Sequence, residues 1–318
     1  MASGRGKIGF VGLGVMGTPM ARRLLERGHT LIVHDRDPDA VRRLTRRGAI
    51  AAQSPREVAD AALVVFASLP TPDAVRAVAL GADGIARGRA VRTFVDLGTT
   101  GSRVEDEVAR KLATAGIATV AAPISGGAAG AAKATLAVMA AGPAHAVAAV
   151  RPLLAAFGKV FVVGNRPEQA QLLKVLNNML SSTALAVTSE ALVAGVKGGL
   201  DPAMMVAVFN ASTGRNSATE DKVPRWVLPR TFAFGHPIAG VCKDIGLAID
   251  ECQALGVPMW IGSAARALWQ YASAQGGAQK DMTALITYIE PWAGVTVRTR
   301  APRPRARARR RVARSAAT

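Results

Sequence analysis

The sequence predicts an α/β protein in which an N-terminal Rossmann-type, doubly wound parallel sheet is followed by an all-α C-terminal domain. Over residues 1–167, short apolar runs alternate with helix-forming stretches, which is typical of a mostly parallel sheet flanked by helices. From residue 168 the pattern changes, and Ala170–Lys197 contains no proline and no glycine before Gly195. We therefore expect a sheet domain over 1–167 and a helical domain over 168–297, which opens with one long buried helix.

The elements of the sheet domain follow from the positions of the apolar runs. The expected strands are 8–11, 31–33, 63–67, 93–96, 117–120, 136–139 and 161–163, the last of which ends the sheet. Helices are expected between most of them, around 20–27, 38–47, 73–80, 102–115 and 143–157. A length of 318 residues suits two domains of this kind.

The formal net charge of +18 is distributed unevenly. Residues 298–318 contain nine arginines and no acid, which leaves +9 for the rest of the chain. Like charges repel and the segment has no apolar periodicity, so it is expected to be disordered. Either it contacts a polyanion such as nucleic acid without sequence preference, or it is a solvated extension with no selected role.

Composition argues against several other classes. No apolar run reaches the roughly 18 residues of a membrane span, and no signal-peptide core follows Met1. Cys242 and Cys252 form neither a disulfide framework nor a zinc set, which favours a reduced, cytoplasmic protein. The four histidines have no ligand spacing, so no metal site is expected.

A glycine motif lies between the first expected strand and the first expected helix. Gly12, Gly14 and Gly17 follow the strand 8–11 directly, and Asp35 ends the next strand. The first glycine permits a tight turn, the second lets the backbone approach a pyrophosphate, and the third allows close packing of helix on strand. The helix N-terminus then favours phosphate groups. This context predicts a dinucleotide site, with Leu13, Val15 and Met16 completing the turn.

The acid at the end of the second strand bears on cofactor choice. The Asp35 carboxylate can accept hydrogen bonds from ribose hydroxyls and repels a 2′-phosphate, which favours NAD over NADP. The guanidinium of Arg36 beside it could accommodate a phosphate. The sequence therefore predicts NAD as the preferred cofactor and leaves NADP open.

Five motifs in order resemble the β-hydroxyacid dehydrogenase family, which includes 3-hydroxyisobutyrate dehydrogenases and tartronate semialdehyde reductases. They cover residues 7–292 and lie at 9–21 (GFVGLGVMGTPMA), Leu69-Pro70, 122–127 (APISGG), 174–178 (KVLNN) and 243–248 (KDIGLA). The resemblance implies that Leu69 and Pro70 lie beside the cofactor. The chain departs from the family pattern at Ala121, where the family often has an acid.

The motif at 174–178 carries the chemistry that the resemblance implies. Lysines are rarely buried without a reason, and a buried lysine has its pKa lowered toward the working pH. The resemblance gives Lys174 the role of general acid and base. Asn178 lies four residues on, shares its helical face, and by resemblance binds the substrate and positions its reacting oxygen. Asn177 is expected to face elsewhere.

The remaining site residues are expected around the same cleft. Ser125, Gly126 and Gly127 offer a hydroxyl and exposed backbone N–H groups to a substrate carboxylate. Thr99 is placed by the resemblance near nicotinamide and substrate, although Thr99 or Thr100 could equally cap the following helix. Lys243 resembles the family lysine near the nicotinamide end of the cofactor, and Asp244 is expected to orient basic groups around the substrate.

Together these observations predict hydride transfer between NAD(P) and a short β-hydroxy acid in a cleft between the domains. The substrate would resemble 3-hydroxyisobutyrate or 2-hydroxy-3-oxopropanoate, and by family analogy the chain would form a homodimer or homotetramer. One alternative is a reductase of another class on the same fold, such as an imine reductase. The other is a catalytically silent protein that binds NAD(P) and a polyanion. The presence of Lys174 argues against both.

Overall fold

The structure of the protein is a computed structural model, and it describes residues 6–299. The expectation of disorder over 298–318 therefore lies almost wholly outside the described residues. Over the described part, the strands are β1 Ile8–Val11, β2 Leu31–His34, β3 Ile50–Ala51, β4 Val64–Ala67, β5 Thr93–Asp96, β6 Ala118–Ala121, β7 Ile124–Ser125, β8 Leu136–Ala141 and β9 Gly158–Gly164.

The helices lie on the sheet or follow it. Those of the sheet domain are α1 Gly17–Glu26, α2 Pro38–Thr45, α3 Pro55–Ala61, α4 Pro72–Leu80, α5 Ser102–Ala113, α6 Gly127–Lys133 and α7 Ala144–Leu154. The C-terminal part contains α8 Pro167–Lys197, α9 Pro202–Ala211, a π-helix Ala218–Val227, α10 Ile238–Ala254, α11 Trp260–Ala272, a 3₁₀ helix Met282–Tyr288 and α12 Glu290–Ala293.

The strand order confirms the doubly wound sheet. It runs β3-β2-β1-β4-β5-β6-β8-β7, with β9 paired to β8. The pairs among β1 to β6 are all parallel, whereas β8 runs antiparallel to β6 and β7. The strand order reverses between β1 and β4, where Val11 pairs with Ala67. In such sheets ligands bind outside the carboxyl ends of the strands at this switch point.

Five short elements of the sheet domain were not among the predicted ones. These are β3, α3, β7, α6 and a 3₁₀ helix, Ile85–Arg87. Both residues of β3 are exposed, so no apolar alternation marks it. The helix α6 begins in Ala-Gly-rich sequence, and Gly126 and Gly127 have positive φ angles at its start. Such glycines are typical of turns, and for this reason the local sequence does not predict the helix.

The core of the sheet domain contains few aromatic side chains, in keeping with an aromatic content of 4 % in the whole chain. Phe10 and Phe66 stack with ring centroids 6.0 Å apart, and Phe157 meets Phe66 edge-on at 5.8 Å. Most of the residues packed around them are alanine, valine and leucine. Small side chains bring helices and sheet close together, and glycine allows the closest approach of backbone to backbone.

The helix α8 joins the two parts of the molecule. Near its start Ala170 packs with Met139 and Ala141 of β8, and further along Leu185 and Leu192 enter the core of the helical part. The helix is not buried throughout, contrary to the expectation: Leu180 is 67 % exposed. By length and composition alone it could cross a membrane, yet these contacts are those of a helix at the centre of a globular fold.

Candidate active site

In the glycine turn after β1, two of the three glycines are required by the protein's own backbone packing. Gly12 has a φ of +89°, and a Cβ there would collide with the carbonyl oxygen of Ser68. A Cβ on Gly17 would collide with the carbonyl oxygen of Gly12. Gly14 differs, because a Cβ there would meet no atom within 4 Å and the residue is exposed. Its missing side chain leaves open space on the surface of the turn.

The surroundings of that open space fit a dinucleotide. The helix α1 begins at Gly17, and no side chain caps its N-terminus at the turn. Asp35 accepts hydrogen bonds from the backbone N–H of Leu13 at 2.5 Å and of Asp37 at 2.8 Å. A depression beside the turn is lined by Leu13, Gly14, Val15, Thr18, Pro19, Asp35, Asp37, Ala40 and Arg43. Phosphates fit the helix terminus, and ribose hydroxyls fit the carboxylate.

Other predicted cofactor residues lie on the same edge of the sheet. Leu69 follows β4, and its Cδ2 lies 3.1 Å from where a Cβ on Gly12 would be. Pro70 is exposed beside it, and Thr99 follows β5 in the next loop. Arg36 is exposed, and Met16 packs partly against the core. The structure therefore brings the loops after β1, β2, β4 and β5 to one edge.

Lys174, Asn178 and Asp244 form a hydrogen-bonded chain that joins α8 to α10. The Lys174 ammonium donates to Asn178 Oδ1 at 2.8 Å, and Asn178 Nδ2 donates to Asp244 Oδ2 at 2.7 Å. Lys174 is 7 % exposed and Asp244 is 3 % exposed. The i, i+4 spacing on α8 places the amine and the amide on one helical face. The amide orientation is therefore fixed from both sides.

The pKa values of this chain have identifiable causes. Burial lowers the pKa of Lys174 to about 8, opposed by the negative charge of Asp244 and assisted by the positive charge of Lys243. Burial would raise the pKa of Asp244, but the hydrogen bond from His236 and the charges of Lys243 and His236 outweigh it and hold this pKa at about 2. At neutral pH Asp244 is ionised, and Lys174 can change its protonation state with little free energy.

The loop Ser125–Gly127, which is predicted to bind the substrate carboxylate, meets α8 through Asn177, a residue that was expected to face away. Asn177 Nδ2 lies 3.4 Å from Ser125 Oγ and 3.3 Å from Asn178 Oδ1. The expectation for Asn177 was wrong, because neighbouring residues on a helix are only about 100° apart. Asn177 and Asn178 can therefore both border one wide cleft. Gly126 and Gly127 follow Ser125 with φ angles of +129° and +65°, which residues with a side chain rarely adopt.

Lys243 connects the helical part to the loop after β5. Its ammonium donates to the carbonyl oxygen of Thr99 at 2.6 Å and lies 3.0 Å from Asp244 Oδ1. His236 Nε2 lies 3.6 Å from Asp244 Oδ2. Asp244 thus orients two basic side chains and one amide at the mouth of the cleft.

Neither threonine caps α5, contrary to one expectation. Thr100 Oγ1 donates to Asp96 at 2.5 Å. The cap comes from the helical part, because Glu251 on α10 accepts from the backbone N–H of Ser102 at 2.5 Å and from its hydroxyl at 2.7 Å. Sequence proximity suggested a local cap, and nothing in the local sequence points to a carboxylate 149 residues away.

A buried polar cluster behind the loop was missed altogether. Gln171 on α8 accepts from the N–H of Thr100 at 2.9 Å and donates to the carbonyl oxygen of Gly98 at 3.2 Å. Burial, followed by the charge of Asp96 and the hydrogen bond with it, raises the pKa of Glu105 well above its usual range. This cluster fixes the loop that carries Thr99. The sequence feature that could have identified Gln171 is its position three residues before Lys174, because residues at this spacing are neighbours on a helix.

Within residues 6–299 no group of three or more His, Cys, Asp or Glu side chains could hold a metal ion. The two cysteines in the same range are unpaired thiols. The hydrogen-bonded groups that the structure brings together between α8 and α10 are a lysine, an amide and a carboxylate.

Comparison with known proteins agrees with this geometry. Residues 7–164 match the profile described as the NAD binding domain of 6-phosphogluconate dehydrogenase. Residues 169–289 match that described as NAD-binding of NADP-dependent 3-hydroxyisobutyrate dehydrogenase. The 2-(hydroxymethyl)glutarate dehydrogenase of Eubacterium barkeri is 34 % identical over 92 % of this chain and 97 % of its own length. The chain belongs to the β-hydroxyacid dehydrogenase family.

Two further proteins of this family support the assignment. The 3-hydroxyisobutyrate dehydrogenase of Pseudomonas aeruginosa is 37 % identical over 86 % of this chain and 94 % of its own length. The structure of the Mycobacterium tuberculosis 3-hydroxyisobutyrate dehydrogenase with L-serine superposes with a TM-score of 0.80 at 31 % identity. It covers 89 % of this chain and 99 % of the other. This β-hydroxyacid dehydrogenase is thus an NAD(P)-dependent oxidoreductase.

Imine reductases share the fold more distantly. The Streptomyces aurantiacus imine reductase superposes with a TM-score of 0.60 at 22 % identity, over 89 % of this chain and 99 % of its own. At that identity the likeness concerns the fold alone. The hydroxy-acid assignment is better supported, because relatives above 30 % identity cover nearly the whole chain.

Proposed function

We propose that this enzyme transfers hydride reversibly between NAD(P) and a short β-hydroxy acid of the 3-hydroxyisobutyrate or 2-hydroxy-3-oxopropanoate type. The observation that carries the proposal is the buried Lys174, hydrogen-bonded to Asn178 and shifted in pKa to about 8. A group with a pKa near the working pH exchanges a proton most efficiently. The names of the relatives above support the substrate class.

Each side chain has a role in the proposed mechanism. The nicotinamide, when bound, accepts or donates the hydride. The N–H groups of Ser125, Gly126 and Gly127 and the Ser125 hydroxyl hold the substrate carboxylate, and Asn178 directs the reacting oxygen toward Lys174. In oxidation, neutral Lys174 takes the hydroxyl proton, and in reduction, protonated Lys174 returns it to the carbonyl oxygen.

The remaining residues act around the reacting groups. Thr99 and Lys243 border the nicotinamide, and Asp244 orients Asn178 and Lys243 beside the substrate. Gly12 to Gly17, together with Leu69 and Pro70, hold the pyrophosphate and its surroundings. The experiment that tests the whole proposal is cofactor reduction over a panel of hydroxy acids, with NAD and NADP, in the native enzyme and in Lys174→Ala.

The enzyme is expected to prefer NAD, since Asp35 stands where a 2′-phosphate would lie. Asp35→Asn should lower the ratio of kcat/KM for NAD to that for NADP by about tenfold, because a charge repulsion of roughly 1.4 kcal/mol is removed. Arg36 is exposed beside it and available to the phosphate. Steady-state kinetics with both cofactors measure the ratio.

The matched control is Asp39→Asn. Asp39 is an exposed acid of α2 that pairs with Arg42 and lies outside the depression beside the glycine turn. An unchanged ratio in Asp35→Asn, or an equal change in Asp39→Asn, contradicts the role given to Asp35.

The helical part supports a homodimer or homotetramer. Large apolar side chains are exposed on three of its helices, namely Leu180 and Val187 on α8, Met204 and Val208 on α9, and Trp260 and Ile261 on α11. Exposed apolar surface on this scale marks association sites. Light scattering should give at least twice the mass of 32.9 kDa, and the double variant Val187→Glu, Met204→Glu should reduce it to that of one chain. A native monomer excludes this proposal.

Three further parts of the proposal concern the chain as a whole. The division into 1–167 and 168–297 is supported by the two profile matches, which meet between 164 and 169. A cytoplasmic location is supported by the free thiols of Cys242 and Cys252. Residues 300–318 lie outside the described structure, and contact with a polyanion stays a prediction from their arginines.

A further inference from the structure

A second lysine is buried near the catalytic one, and the mechanism does not use it. Lys222 lies on the π-helix Ala218–Val227 and is 5 % exposed. Its ammonium donates to Ser181 Oγ at 3.0 Å and lies 5.2 Å from the centroid of the Phe234 ring. Within residues 6–299 it makes no other hydrogen bond, and no carboxylate lies within 4.0 Å of it.

A buried ammonium without a counter-ion is unusual. An ammonium loses several kcal/mol of hydration on burial, and a partner of opposite charge normally offsets this loss. An ammonium has three N–H donors, and Lys222 uses one of them on a neutral hydroxyl. Burial lowers the pKa of Lys222, and the charge of its neighbour Asp221 opposes this, but the ion pair of Asp221 is with Arg225. Within residues 6–299 this buried cation therefore has no carboxylate at ion-pair distance.

The position of this cation relative to the reacting groups follows from α8. Ser181 lies seven residues after Lys174, which is two helical turns or ~10 Å along the axis on the same face. Asn177 and Asn178 lie between them. Ser181 is four residues from Asn177, whose amide contacts Ser125 of the loop Ser125–Gly127. Lys174, Asn177, Asn178 and Ser181 thus form a polar strip along α8. Lys222 contacts its C-terminal end, at Ser181.

The helix α10 and the segment before it contact Asn178 of this polar strip and Lys222 at its C-terminal end. Asn178 donates to Asp244, and Asp244 is approached by His236 at 3.6 Å. Phe234, two residues before His236, lies against Lys222. Lys222 returns to α8 through Ser181. The lysine thus borders the same space as Asn178.

We propose that Lys222 and Ser181 form a second anion subsite, which selects β-hydroxy acids that carry a second carboxylate. The first carboxylate lies on the Ser125–Gly127 loop, the carbinol lies at Lys174, and the second carboxylate accepts from Lys222. No bond is made or broken at this subsite. This inference rests on the proposed function, because it places a further group on the substrate of the same site.

The test uses two substrates and an inert ligand with the full chain. In the native enzyme, kcat/KM for 2-(hydroxymethyl)glutarate should exceed that for 3-hydroxyisobutyrate. Lys222→Met should lower it 10- to 100-fold for the dicarboxylate, since a hydrogen bond to a charged group is worth about 1.5–3 kcal/mol. It should leave the value for the monocarboxylate unchanged or higher. Lys222→Arg should keep part of the preference.

Calorimetry with glutarate, in the presence of NAD, measures the subsite without turnover. Native enzyme should bind glutarate, and Lys222→Met should bind it at least tenfold more weakly with an unchanged midpoint of thermal unfolding. Lys197→Met, at the exposed end of α8, is the control and should match the native enzyme. Equal losses with both substrates, or unchanged glutarate binding in Lys222→Met, overturn the inference. No turnover of any hydroxy acid, together with Lys222-dependent glutarate binding, rejects the proposed function and leaves the subsite standing.

Discussion

Lys174→Ala is expected to reduce turnover by about 10³- to 10⁴-fold, the largest effect of any single side chain in this enzyme. The substitution removes a buried amine that is hydrogen-bonded to Asn178 and that we propose exchanges the carbinol proton. Binding of NAD should change little, because the glycine turn and Asp35 lie on the other side of the cleft mouth. Single-turnover kinetics and fluorescence titration of NADH measure the two quantities separately.

The pH dependence follows from the lowered pKa of Lys174. Its neutral form is the base for oxidation, so kcat/KM for the hydroxy acid should rise with pH and level off above about 8. The protonated form is the acid for reduction, so that rate should fall above about 8. Lys197→Ala should keep both profiles, whereas near-normal turnover in Lys174→Ala would falsify the mechanism.

Substitutions at Gly17 and Gly14 are expected to separate folding from cofactor binding. Gly17→Ala should destabilise the protein by about 3 kcal/mol, because its Cβ would collide with the backbone carbonyl of Gly12, which cannot rotate away. Gly14→Ala should leave the free energy of unfolding within about 0.5 kcal/mol, because its Cβ would meet nothing within 4 Å. It should nevertheless weaken NAD binding at least tenfold, since we propose that the pyrophosphate approaches the backbone through that open space.

Urea unfolding and NADH titration of the same two variants test this contrast. Gly116→Ala provides a control for glycine replacement itself, because Gly116 has a positive φ of +72° and no neighbours around its missing Cβ. It should lose about 1 kcal/mol of stability with no change in cofactor affinity. Unchanged NADH affinity in Gly14→Ala would show that the cofactor does not approach this turn.

Most of the fold could be predicted from the sequence, because the patterns that determine its strands and helices are local. Short runs between helical stretches mark β1, β4 and β5, which read IGFV, VVFA and TFVD. A long stretch without proline, and without glycine before Gly195, marks α8. The antiparallel direction of β8 was not predicted, because the chain reverses between β7 and β8 through α6, a helix that the local sequence does not mark. Burial of α8 was overestimated, since its composition resembles that of a core helix.

The site was readable where motifs keep chemistry within a few residues. Lys174 and Asn178 share one helix, and the glycine turn lies within six residues. Contacts between residues of different elements were not predicted from the sequence. Glu251 acts on α5 from α10, and Lys222 reaches Ser181 from a separate helix. Their roles arise from tertiary contacts of more than 40 residues in sequence separation, which no local pattern records.

The cap that Glu251 provides to α5 has a consequence for how such enzymes can be recombined. Together with Gln171, it completes the cofactor-binding half with atoms that belong to the other half. The halves are therefore not interchangeable modules. A chimera that grafts a foreign helical half onto residues 1–166 inherits a working cofactor loop only if the donor brings a carboxylate and an amide to these two places. Exchange between homologues is therefore constrained at the contacts between the two halves as well as by the residues proposed to touch the substrate.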